Sequence, residues 1–307
     1  MKNMKKITAN NITWINIQDP QEKNLEELKE KFNLHPFIIK QFLPSIHRPK
    51  IEEYPGQIFI VLHFPIYDTE TKQTNLTELD FIITEDTLIT SYNKAIPDLE
   101  TFFNDCDLQD YHKNQHFKSA GHLLFGILDW LIDSCLPMLD KVGKKIEDIE
   151  KEVFGGKEKE MLMEIAMAKK DLIDFRRAIK PQRSVLEILG KKSIRIFGEK
   201  VRPLSQEVIG SIIRVWNILE NHRELITSIE QTNNSLLSYK LSDIMKFLTV
   251  VSFITFPLSV IVGFFGMNIF HDLPIINESK NIWVYILIFM FMTIGIMIIY
   301  FKKKKWL

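Results

Sequence analysis

Cysteine is nearly absent. The chain holds only Cys106 and Cys135, with no CxxC spacing, which excludes a disulfide framework and a zinc–cysteine site and fits reduced thiols in a cytosolic domain. An excess of one charge is missing as well: 39 basic and 39 acidic residues give a formal net charge of +0, and nucleic acid is not among the expected partners. The eight histidines are scattered without an HExxH pair, and neither a GxxxxGK phosphate loop nor a GxSxG elbow occurs. An ATP-driven pump and the common hydrolases are thereby set aside, and the chain carries no catalytic constellation. No repeat, low-complexity tract or Pro/Ser-rich linker is found. Residues 1–16 are polar and basic, without the apolar core of a secretory leader, so the bulk of the chain is expected in the cytoplasm.

What is abundant is apolar residue, and it is unevenly placed. The 46% hydrophobic content is concentrated after Phe247, where residues 247–267 and 282–301 are two runs without a charge. A hydrocarbon core about 30 Å thick takes about 20 apolar residues at helical rise, so the runs predict a membrane hairpin. Lysines occupy positions 302–305, whereas the loop 269–281 carries Asp272, Glu278 and only Lys280. The positive-inside rule then places both termini in the cytoplasm and the loop outside, with Trp283 and Tyr285 at one interface and Tyr300 and Trp306 at the other.

Upstream the pattern changes twice. Strand candidates near Trp14 and at 58–62, 79–84 and 87–91 alternate with a helical stretch at 24–42 spaced by Leu25, Leu28 and Phe32. From about Leu99 the strand signals stop, and heptad-like spacing of Leu123, Ile127, Trp130 and Leu131, then Leu139, Val142, Ile146 and Ile149, predicts a helical hairpin. Gly155 and Gly156 break it, and residues 161–189 resume it as far as Gly190, with a kink expected at Pro181. After Pro203 either one helix on the order of 100 Å long runs to Asn268, or two helices meet at a hinge near the bilayer. The expected fold class is an α+β membrane protein. Its parts are a cytoplasmic α/β domain (1–115), a helical hairpin (116–202), a stalk helix continuing into the first membrane helix (203–268), an external loop (269–281), a second membrane helix (282–301) and a basic tail (302–307).

One two-span chain cannot enclose an aqueous path, so conduction requires a homo-oligomer. Gln231, Ser235, Ser238, Ser242, Met245, Thr249, Ser252, Phe256 and Ser259 recur at steps of three or four, with Leu248 beside them, and form one stripe that enters the first span. Polar groups in a span face a partner or water, and bulky apolar rings close pores by dewetting. Ordinary helix packing through small residues accounts for the same spacing, so periodicity leaves pore and packing open.

The end of the first span reads Gly266-Met267-Asn268, preceded by Met245-Lys246-x-Leu248-Thr249, Pro257-Leu258 and Gly263, and the chain ends Tyr300-Phe301-Lys302-Lys303-Lys304-Lys305-Trp306-Leu307. Together with Trp14-Ile15-Asn16-Ile17, Leu34-His35-Pro36 and the run from His47 to Glu52, this resembles the CorA magnesium transporter family over nearly the whole chain. The resemblance implies a homopentameric, channel-like transporter with a funnel of stalk helices, an outer ring of second spans and Gly266, Met267 and Asn268 as selectivity filter. Magnesium gives up its water reluctantly and prefers oxygen ligands, so a ring of Asn268 carboxamides can hold the hydrated ion without trapping it. The alternative role for Asn268 is a helix C-cap.

Two departures from the family pattern stand out. Where the family loop carries Met-Pro-Glu-Leu, this chain has Leu273-Pro274-Ile275-Ile276, with Asp272 and Glu278 as displaced entrance acids or plain solvated charges. In magnesium-gated members, an acid after the His-Pro segment meets a stalk acid of the next subunit. Here Glu207 and Asp129 match family acids, but Lys40 and Gln41 stand where acids are expected, so metal-linked closure is expected to be weakened or to use Asp129, Asp133 and Glu207. The bland alternative for these three is a solvated helix face. The expected function is inward movement of hydrated Mg2+, with Co2+ or Ni2+ as further substrates, driven by the membrane potential. No cofactor is expected beyond Mg2+ as transported ion and candidate regulator, and the partners are membrane lipid, divalent cations and further copies of the chain. The rivals are a zinc transporter of the same superfamily, a membrane-anchored sensor or scaffold, and an anchored enzyme.

Overall fold

The computed structural model describes residues 3–42, 47–68, 73–267, 282–304 and 306. It divides into two compact units, Met1–Glu230 and Gln231–Leu307.

The first unit is built on a six-stranded sheet ordered β1-β2-β6-β5-β4-β3, with β1 Met4–Ala9, β2 Ile12–Gln18, β3 Lys50–Tyr54, β4 Gln57–Asp68, β5 Gln73–Ile83 and β6 Thr87–Tyr92. Neighbours are antiparallel except β2 and β6, which run parallel with Trp14 opposite Leu88 and Ile15 opposite Ile89. Two turns show why the hairpins close where they do. Asn10 and Asn11 take φ of 50° and 64° between β1 and β2, as a tight hairpin requires. Gly56, at φ 72°, turns β3 into β4 where a side chain would be strained.

Side-chain alternation divides the sheet into two buried faces. Ile15, Ile17, Phe59, Val61, Ile82 and Ile89 pack beneath α1 (Glu22–Phe32) and α2 (Pro36–Phe42) through Leu25, Leu28, Ile38 and Phe42. On the other face Trp14, fully buried, lies 5.9 and 4.8 Å from the rings of Phe102 and Phe103 on α3 (Pro97–Leu108). Its Nε1 donates to the Thr90 hydroxyl at 2.9 Å, which removes the cost of burying the indole N–H. Each large apolar side chain so enclosed stabilises the unit by roughly 1.5–3 kcal/mol. Helix α7 (Glu158–Phe197) lies across β3, β4 and β5, and its buried Gln182 donates to the carbonyl of His63.

Several elements differ from the sequence expectation. The stretch read as one helix over 24–42 is two, because Asn33 turns left-handed at φ 46° and Pro36 can only start the next helix. Strands β1 and β3 and helices α3 and α4 (Asp110–His116) were not foreseen, since charged edge positions such as Lys5, Lys6, Glu52 and Glu53 hide the strand period. The hairpin is made of α5 (Ala120–Asp133), α6 (Cys135–Phe154) and α7, and α7 continues through Pro181 and past Gly190 to Phe197. Trp130, read as a heptad core position, is 37% exposed.

Helix α8, Arg202–Phe265, is one helix of 64 residues with Pro257 inside it, and its residues are shared between the two units. In the second unit it meets α9, Ile282–Lys303, where the ring of Phe253 lies 6.3 Å from that of Phe301. Val250 and Phe301 are buried there, and Trp306 stacks on Phe301 at 5.9 Å.

Candidate functional site

The second unit holds the stripe and the start of the GMN motif. Positions 231 to 259 of the stripe fall within an arc of roughly 120° at 100° per residue. Gln231, Ser235, Ser238, Ser242, Met245, Leu248, Ser252, Phe256 and Ser259 are all exposed in the single chain, and Thr249 is half-buried. The hydroxyls of Ser235, Thr249, Ser252 and Ser259 each donate to the carbonyl four residues back, at 2.9, 2.7, 2.8 and 3.0 Å. Their protons are committed to the helix, so the lone pairs are what these groups offer outward. Helix α8 ends at Phe265, and Gly266 and Met267 continue as a turn in which Gly266 N–H donates to the Val262 carbonyl at 2.9 Å. The helix thus stops short of the expected Asn268, because the chain turns at Gly266. Asn268, Asp272 and Glu278 lie outside the described residues.

The first unit brings Asp129, Asp133 and Glu207 to one cleft of about 730 Å³. Helix α5 supplies its wall: Ser119 caps the helix by accepting from His122 N–H at 3.2 Å, and His122, Gly126, Asp129 and Asp133 follow at steps of four, three and four on one face. Glycine is needed at 126, since a Cβ there would collide with the ring of His116. The 3-10 turn Glu199–Val201 and the start of α8 supply the opposite wall, the turn through Lys200 and the helix through Pro203, Leu204 and Glu207. Phe102 joins the rings of His116 and Trp130, at 5.0 and 5.6 Å, and Trp130 Nε1 is fixed on the carbonyl of Asp98 at 3.0 Å.

The cleft is electrically polarised. At one end burial, then the charges of Asp133 and Glu207, push the Asp129 carboxyl up to about 6, against the pull of the Ser211 hydroxyl and Arg214. At the other end burial, then His112, Lys118 and His122, hold the His116 imidazole down at about 4, and burial with Lys118 and Lys200 lowers His122. Asp129 Oδ1 and His112 Nδ1 are buried without a hydrogen-bond partner among the described residues. No group of three or more His, Cys, Asp or Glu side chains among the described residues is placed to hold a metal ion directly.

In the sequence the histidines look scattered. His112 and His116 are in fact one helical turn apart on α4, and with His122 they converge on this cleft; the i, i+4 spacing was the available signal. On α2, Gln41 is bound to Lys50 and donates to Glu52 at 3.1 Å, while Lys40 stays exposed.

A family model described as CorA-like Mg2+ transporter protein matches residues 9–303. The chain belongs to the CorA-like Mg2+ transporter family. Among its CorA relatives, the cobalt/magnesium transport protein CorA of Thermotoga maritima is 29% identical over 96% of this chain and 83% of that protein. A more distant relative, the zinc transport protein ZntB of Yersinia pestis, is 19% identical over 96% of this chain and 88% of its own length. The complete structure of the CorA magnesium transporter from Methanocaldococcus jannaschii aligns with a TM-score of 0.83 at 24% identity, covering 98% of this chain and 94% of that one. That likeness establishes the CorA fold: an N-terminal α/β sheet domain, long helices and a C-terminal apolar helix. The named relatives are ion transport proteins, and membership places this chain in a family of divalent cation transporters of the membrane.

Proposed function

We propose that this CorA-family chain assembles as a homo-oligomer, a pentamer on the family resemblance, and moves hydrated Mg2+ inward along a path lined by α8. In this reading α8 and α9 cross the bilayer with both termini in the cytoplasm, and the lysines after α9 set that orientation. The observation that carries it is the exposed stripe on α8, in which the hydroxyls of Ser235, Thr249, Ser252 and Ser259 spend their protons on the helix. A hydrated cation presents water O–H groups, and the lone pairs of these hydroxyls accept from it. Met245, Leu248 and Phe256, all more than half exposed in the single chain, act as the dewetting gate when five copies converge. Asn268 is the filter, and Asp272 and Glu278 draw cations to its mouth. The membrane potential, about 2.3 kcal/mol per charge per 100 mV, drives a divalent ion inward.

Regulation by internal magnesium is weakened in this reading, because Lys40 and Gln41 replace acids on α2, and what remains works through Asp129, Asp133 and Glu207. Zinc is the second reading, favoured by the zinc transport relative. Potential-driven flux in liposomes, with magnesium and zinc in competition, decides between the ions. Asn268→Ala is expected to cut flux at least about tenfold, the cost of losing one coordinating hydrogen bond, with assembly intact on size exclusion. Undiminished flux through the variant removes Asn268 as the filter.

A further inference from the structure

The cleft between α5 and the start of α8 carries both charges unspent. Lys118 and Lys200 are exposed and have no ion-pair partner among the described residues, and they flank His122. About 10 Å along the same face of α5 from His122, at 1.5 Å per residue, stands Asp129, with Asp133 one turn further on and Glu207 opposite. The two ends do not neutralise one another. A bare metal ion satisfies only the acidic end, and a bare anion only the lysine end while facing the carboxylates. A volume of about 730 Å³ is that of a small-molecule site rather than of a single ion.

We propose that this cleft takes a polyphosphate carried with its magnesium ion. The hydrated ion sits against Asp129, Asp133 and Glu207, and the phosphate oxygens sit against Lys118 and Lys200. The proposal rests on the reading of the three acids as a magnesium-binding set and adds the anion that the lysines require. Ion and phosphate oxygens are directly bonded in such a complex, so one ligand brings positive charge to the carboxylates and negative charge to the ammonium groups. Trp130, held by its indole bond to Asp98, offers a flat apolar wall that a nucleobase can use and inorganic polyphosphate cannot.

The test is equilibrium dialysis of the full-length protein in detergent against labelled ATP and labelled tripolyphosphate, each with magnesium and with EDTA, alongside binding of Mn2+ alone. Retention of either polyphosphate with magnesium, lost in EDTA and weakened about tenfold or more in Lys118→Ala/Lys200→Ala, supports the site. Both lysines are exposed, so the variant keeps the fold. Tighter retention of ATP than of tripolyphosphate, reduced by Trp130→Ala, identifies a nucleotide; equal retention identifies the polyphosphate itself. Retention that survives EDTA, or that is unchanged in the double lysine variant, overturns the proposal. Metal binding with neither polyphosphate retained also overturns it, and leaves the acid set standing as a site for the ion alone.

Discussion

Two stretches of this chain meet the length and composition of a membrane span yet end in opposite surroundings. The apolar window within Ala120–Phe154, which covers α5 and α6, is 50% buried inside its own fold, whereas the windows within α8 and α9 are each 6% buried. In the first stretch, Leu123, Leu124, Ile127, Leu128 and Leu131 are enclosed by the neighbouring helices and the sheet, while His122, Asp129 and Asp133 face a cleft. In the second, large side chains such as Phe256 and Phe264 are 72% and 52% exposed, an apolar surface that a soluble monomer does not tolerate. Apolar length alone does not separate the two regions; what separates them is how far the described residues of the same fold cover the apolar surface.

Charge insertion breaks the comparison most sharply. Leu128→Asp places a carboxylate at a position with no exposure and no counter-ion, and is expected to cost about 4 kcal/mol or more. Thermal unfolding followed by circular dichroism in detergent reads this as loss of the cooperative transition. Val260→Asp, at a position 55% exposed, is expected to leave that transition in place and instead reduce membrane insertion, at about 2.5–3.5 kcal/mol for a mid-span acid, read by membrane fractionation. Equal effects of the two on the thermal transition would mean that both stretches are core.

Truncation gives a smaller contrast. Leu131→Ala, 1% exposed, is expected to cost about 2–5 kcal/mol in the cavity it leaves. Val262→Ala, 57% exposed, is expected to change chemical denaturation in detergent by less than about 0.5 kcal/mol.

Glycine replacement changes sign between the regions. Gly126→Ala drives a Cβ into the His116 ring and is expected to destabilise by about 1–3 kcal/mol. Gly263→Ala meets nothing within 4 Å and is expected to be neutral or to stabilise α8 by up to about 1 kcal/mol through helix propensity. A destabilised Gly263→Ala would show that α8 is closely approached there by another copy.

The smallest effect is a pH dependence confined to the first unit. Burial, reinforced by the charge of Glu78, holds the Asp80 carboxyl well above the usual carboxylate range. A raised folded value means that stability is fully present below about pH 4, the unfolded value, and is lost as pH rises toward the folded one. Asp80→Asn, which mimics the neutral acid, is expected to raise the melting temperature by a few degrees at pH 7.5, with the gain vanishing toward pH 4. An unchanged melting temperature across that range would show Asp80 to be ionised at no cost.

Much of this was legible in the residues because the signals are local. The strands around Trp14, Phe59 and Phe81 announce themselves by β-branched and aromatic runs, and Asn10-Asn11 and Gly56 are turn chemistry. What was not legible depended on neighbours far away in the chain. Strand β1 reads as a polar leader until it pairs with β2, and β3 reads as charge until it lies beside β4. Trp130 has core spacing, but its ring opens on a cleft because Lys200 to Glu207, some seventy residues later, form the opposite wall. The candidate site divided in the same way. Asp129 and Glu207 were named from the resemblance, with Asp133 as a further acid, whereas Lys118, Lys200 and His122 carry no motif and were visible only in space, and the i, i+4 pair His112 and His116 was the one local signal.

Composition and order by themselves determined that this chain carries an α/β unit followed by helices, that its last sixty residues are too apolar for water, and that GMN closes the first apolar run. These follow from propensity, periodicity and length, which neighbouring residues settle among themselves. Only the tertiary structure decided which apolar helix is covered and that one face of α5 runs from histidine to carboxylate across a cleft. Those outcomes depend on burial and on distances between side chains remote in the sequence, and packing alone determines them.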